Sequence, residues 1–197
     1  ILTAAAVLAL VALAASGRGG SAEAPLVPPG RLPGELTGAA PWPANTGELR
    51  ARLRALGLPA LAQEGTALHL HQHLDLYVEG RRVVVPAGIG IDPAGRFIAP
   101  IHSHDATGII HVESPERRVF SLGQFFGVWG VRFTPRCLGG YCASGRKRLW
   151  VYVDGRLVRG DPPRVALTDH QEIVVALGDR RELPRPIPRS YAFPAGL

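Results

Sequence analysis

A chain of 197 residues with 46% apolar content is long enough to bury one core with tails attached. Its net charge of +6 sits on scattered arginines, without the basic stripe interleaved with aromatics that nucleic acid requires, so nucleic acid is excluded as the expected partner. Methionine is absent, which argues against a Met-rich copper(I) carrier.

Residues 1–16 are almost wholly apolar and read as a membrane anchor, or as the remnant of a signal peptide with small-residue cleavage candidates at Ala12-Leu13-Ala14 and Ala22-Glu23-Ala24. Either way, the rest of the chain is expected outside the cytoplasm, and the retained anchor would attach it to the membrane. Residues 17–45 are rich in Pro and Gly and read as an extended linker. Residues 46–180 form the expected folded domain, and 181–197 a proline-rich extended tail.

Within the domain, Thr46 is expected to cap a helix running to Leu56, with Leu49, Leu53 and Leu56 on its buried face and Arg50, Arg52 and Arg54 elsewhere; Gly57 and Pro59 end it. Two similar segments follow, Leu74–Val83 and Leu149–Val158. Each is an alternating strand, an acidic-Gly turn and a return strand, which predicts β-hairpins at Glu79-Gly80 and Asp154-Gly155. Between them lie a strand at 108–113 and an apolar stretch at 122–129 that reads as a short helix, weakened by its glycines. A last strand is expected at 172–177. The fold class expected is mainly β, with α+β as the alternative: hairpins and further strands with one or two short helices, in a β-grasp-like or small sandwich arrangement. Cys137 and Cys142 are the only cysteines and suit a disulfide in an oxidising compartment.

Six of the seven histidines fall between His69 and His111. In the strand at 68–76, alternation puts His69, His71, His73 and Asp75 on one face and Leu68, Leu70, Leu74 and Leu76 on the other. Same-face neighbours are about 6.8 Å apart, so two adjacent rings can converge on one ion but three cannot. Further ligands must come from His102, His104 and His111. A mononuclear site from one His-x-His pair plus His111, or a dinuclear site using both pairs, satisfies the spacing. Imidazole ligands with an optional carboxylate suit Zn²⁺ or Cu²⁺. Asp75, Asp105 and Glu113 are candidates to orient the rings or to act as general bases. His170 reads as a turn residue.

The runs His102-Ser-His-Asp-Ala-Thr-Gly-Ile-Ile-His-Val-Glu-Ser-Pro115, Phe120–Gly130 and Cys137-Leu-Gly-Gly-Tyr-Cys142 resemble a group of uncharacterised exported or membrane-anchored bacterial proteins. The resemblance covers most of residues 46–180 and implies location rather than an activity. Copper–zinc superoxide dismutases share a strand His-x-His pair and a disulfide, but their glycine-framed motif is missing here and the cysteines stand too close together. Cupins share His-x-His followed by Glu, but His102, His104 and Glu113 are too widely spaced and the second cupin motif is missing.

The function expected is an extracytoplasmic, membrane-tethered domain that binds Zn²⁺ or Cu²⁺, as an accessory subunit of a membrane complex. The alternatives are a metalloenzyme with an open His-ligated site and an interaction module without metal.

Overall fold

The computed structural model describes residues 30–197. The apolar segment at 1–16 lies outside them. Among the described residues no helix is long and apolar enough to cross a membrane.

The protein is mainly β. Strands β1 (Leu68–Val78), β2 (Arg81–Val83), β3 (Ile101–His102), β4 (Ile109–Ser114), β7 (Arg148–Val153), β8 (Arg156–Leu157) and β9 (Gln171–Gly178) form one open seven-stranded sheet. Its order is β3-β4-β1-β9-β7-β8, with β2 also paired to β1. The short strands β5 (Cys137–Leu138) and β6 (Tyr141–Cys142) make a separate two-stranded ribbon closed by the Cys137–Cys142 disulfide. The two α-helices of the described residues are α1 (Leu49–Ala55) and α2 (Leu122–Trp129).

Both hairpins form at the expected turns, where Glu79 and Gly80, and likewise Asp154 and Gly155, all take positive φ. At the centre of the sheet β1 runs parallel to β9, while β4, β2 and β7 pair antiparallel. The first and last strands of the sheet thus pair in parallel at its centre, with the β7–β8 hairpin on one side and β4 and β2 on the other. The core face of β1 carries Leu74, Leu76 and Val78, which share one apolar cluster with Ile110 and Val112 of β4, Ile173 and Val175 of β9, and Phe125, Phe126 and Trp129 of α2. Gln72 shares this face by strand alternation and is fully buried.

Helix α2 is buried along its whole length. A capping box starts it: Gln124 N–H donates to Ser121 Oγ and Ser121 N–H to Gln124 Oε1. Gly130, at φ 79°, ends it. The glycine that weakens the helix in isolation has a packing role: a Cβ on Gly127 would stand 2.9 Å from Leu56 Cδ2 and 3.1 Å from Leu32 Cδ1.

Helix α1 begins later than expected. Glu48 is its N-cap and no side chain caps it. Arg52 departs further from expectation, because it is fully buried. Its guanidinium donates to the carbonyls of Val128, Pro33 and Asn45, so it satisfies an orphan carbonyl at the end of α2. Residues 30–45, expected as linker, have no helix and only one isolated bridge, Leu36 to Val131, yet Leu32 and Trp42 are buried in the core.

Candidate metal centre

The side of the sheet away from α2 is built by alternation. On β1 it presents His69, His71, His73 and Asp75; on β4 it presents Ile109, His111 and Glu113. The antiparallel register sets His71 opposite His111 and His69 opposite Glu113. Strand β3 adds His102 opposite His111. His71, His111 and His102 therefore form one row across three strands.

His104 follows His102 by two residues and returns to the same side because Ser103 is pinned between them. Ser103 N–H donates to Ile89 O at 3.0 Å, its carbonyl accepts from Gly88 N–H at 2.9 Å, and its hydroxyl donates to Pro86 O at 2.8 Å. Gly90, at φ 77°, lets that loop approach: a Cβ there would stand 2.6 Å from Ile101 O.

The five rings of His69, His71, His111, His102 and His104 form a continuous patch, with successive centroids 4.7, 4.8, 5.4 and 4.7 Å apart. The Nε2 atoms of His102 and His104 stand 3.1 Å apart. Two ligands of a tetrahedral zinc ion with Zn–N bonds of about 2.05 Å are about 3.3 Å apart. His102 Nδ1 lies 3.0 Å from Ala99 O. A carbonyl only accepts, so Nδ1 carries the proton and the neutral ring turns the Nε2 lone pair toward His104. Burial, with the neighbouring His104 ring, holds the His102 imidazole down at about 3. The same two causes hold His111 down at about 4. Both rings are neutral at physiological pH, the state that binds metal.

Two carboxylates close the patch. Glu113 Oε1 is 3.2 Å from His69 Nε2 and 3.4 Å from His111 Nδ1. Glu64, in the loop before β1, places Oε1 3.3 Å from His104 Nε2 and 3.9 Å from His102 Nε2. Burial, then the Glu64 charge, raises Glu113 to about 7. One group of donor atoms within 4.8 Å of one another comes from His102, His104, His111 and Glu113, and a second comes from His69, His71 and Glu113.

His73 lies apart from these five rings, in a separate group. Its Nδ1 lies 2.7 Å from Glu172 Oε2, its Nε2 lies 3.0 Å from Thr107 O, and Tyr191 stacks on its ring at 3.8 Å. Donor atoms of His73, Asp75 and Glu172 also lie within 4.8 Å of one another. Both nitrogens of His73 already hold partners, however, and Asp75 accepts two bonds from Arg82 at 3.1 and 2.9 Å. The His73–Glu172 contact needs a proton between its atoms, and burial raises the Glu172 pKa. This is a buried hydrogen-bonded pair at the edge of the patch.

Asp105, expected to orient a ring, instead accepts bonds from Thr107 N–H and Thr107 Oγ1 and shapes its own exposed turn. His170 sits in a turn at φ 55°. Its Nε2 is 3.0 Å from Leu197 O and its ring packs on Phe193. Glu64, Glu172 and Tyr191 are the participants that spacing did not single out. Glu172 carries a readable signal, a carboxylate opening an otherwise apolar strand.

No protein-family model, curated protein or solved structure matches this chain.

Proposed function

We propose that His102, His104 and His111, with Glu64 as the adjoining carboxylate, bind one Zn²⁺ or Cu²⁺ ion. The chain would work as a membrane-tethered metal-binding domain outside the cytoplasm, serving a membrane complex as an accessory subunit. The observation that carries this reading is the 3.1 Å approach of two imidazole nitrogens, one of them held as a bare lone pair by the Ala99 carbonyl. Support for the location comes from the Cys137–Cys142 disulfide, at home in an oxidising compartment, and from the apolar run at 1–16. The Zn²⁺ or Cu²⁺ choice follows from a donor set of borderline imidazoles and hard carboxylates without thiolate or thioether.

A second reading, a metalloenzyme, is favoured by one observation: the His104 and Glu64 side chains are 43% and 47% exposed. One side of the ion would then be open to an exchangeable ligand, with Glu113 beside it as a base. Competition titration with zinc, using a chromophoric chelator, tests the ligand set. His102→Gln and His104→Gln are expected to weaken binding at least 100-fold, whereas His73→Gln leaves it within about threefold. Equal affinities for wild type and His102→Gln would refute the site. A zinc-loaded protein with no exchangeable solvent ligand by spectroscopy would remove the enzymatic reading.

A further inference from the structure

We propose that a second divalent cation binds beside the first, between His69, His71 and Glu113, so that the Glu113 carboxylate bridges a dinuclear centre. Three observations lead there. Glu113 belongs to both donor groups, and its Oε1 approaches a ring of each, His69 at 3.2 Å and His111 at 3.4 Å. His71 is only 5% exposed and its Nε2 has no hydrogen-bond partner; His111 is 8% exposed and its Nδ1 has none. A buried nitrogen without a hydrogen bond is costly, and here two such atoms occur on cross-strand partners whose rings are 4.8 Å apart, one of them 3.4 Å from the Glu113 carboxylate. Register also gives the two positions separate ligands. His102 and His104 project from β3 and the turn after it, His69 and His71 from β1, and β4 runs between them with His111 and Glu113.

Two ions in such sites stand about 3.5–4 Å apart, a spacing that one carboxylate spans while its negative charge screens their repulsion. Imidazoles with one bridging carboxylate suit Zn²⁺ and Cu²⁺ at both positions. The second position rests on the single-ion centre proposed above and shares Glu113 with it, while His69 and His71 belong to it alone, so the two can fail separately.

The test is copper titration of the full chain, followed by electron paramagnetic resonance and by elemental analysis after desalting. Wild type is expected to retain two equivalents. The second equivalent should lower the integrated Cu²⁺ signal per copper and introduce a half-field transition, the mark of two coupled ions. The double variant His69→Gln/His71→Gln is expected to retain one equivalent with an isolated spectrum, and Glu113→Gln to lose the coupling. Circular dichroism checks that each variant folds, and the wild-type spectrum decides the question without any variant. One equivalent in wild type, lost only with His102→Gln/His104→Gln, would overturn the second position and leave the first. Two equivalents without coupling, or two that persist in His69→Gln/His71→Gln, would overturn it as well. No bound copper would overturn both.

Discussion

In the metal-free protein, His102 should be a source of acid sensitivity, and the effect can be isolated by a single substitution. Its ring is fully buried, its Nδ1 proton is committed to Ala99 O, and burial holds its pKa at about 3. In the unfolded chain the same imidazole has a pKa near 6.5. Between those values the unfolded state binds a proton that the folded state refuses, so this residue's contribution to stability falls as pH drops. At pH 5 the unfolded imidazole gains RT ln(1 + 10^1.5), about 2 kcal/mol, and at pH 7 almost nothing. His102→Gln removes that proton site from both states. Urea denaturation with chelator present, at pH 7 and pH 5, should therefore show the wild-type advantage over His102→Gln shrinking by about 2 kcal/mol at the lower pH. Comparison with the variant cancels the opposite contribution of Glu113, whose raised pKa favours the folded state as pH falls from about 7 toward the ordinary carboxylate range. An advantage of the same size at both pH values would mean that His102 protonates in the folded protein, and the lone-pair argument for the metal centre would fail with it.

Other expectations follow from the local geometry. Gly108→Ala would place a Cβ 2.7 Å from Leu74 O and 3.0 Å from His73 Nε2 at a φ of 97°. It should destabilise by about 1–3 kcal/mol in urea melts and weaken zinc binding through the turn that carries His104. Ser121→Ala removes the buried cap of α2 and should cost about 1–2 kcal/mol in the same assay with zinc stoichiometry unchanged. Reduction of Cys137–Cys142 opens only a short loop on the separate ribbon, so denaturation should show a loss of about 2 kcal/mol or less and elemental analysis no loss of metal.

Much of the site was legible because strand alternation is a rigid rule. Once Leu70 and Leu74 are placed inward, His69, His71 and His73 must point the other way, and β1 obeys. The two hairpins were legible for a related reason, since Glu-Gly and Asp-Gly supply the positive φ their turns need. Which strands become neighbours was not. The pairing that puts His102 opposite His111 depends on Ser103 being held by the loop at 86–89, and nothing in the spacing of either histidine carries that information. Nor was the parallel pairing of β1 with β9 legible, which brings Glu172 to His73 and sets that ring in a separate group. Glu64 was silent because a lone glutamate in a polar loop looks solvated until the fold turns it toward His104. The burial of Arg52 was not legible, because nothing in the helix pattern shows that the carbonyls of Val128, Pro33 and Asn45 offer its guanidinium a buried place.

Whether this centre holds a metal is decided by elemental analysis by mass spectrometry of untagged protein purified without chelators, wild type beside His102→Gln/His104→Gln. Wild type is expected to hold at least one equivalent of zinc or copper per chain, and the double variant to lose that equivalent. Wild-type protein that holds no metal even after reconstitution, or a double variant that keeps its full complement, would contradict the proposed centre.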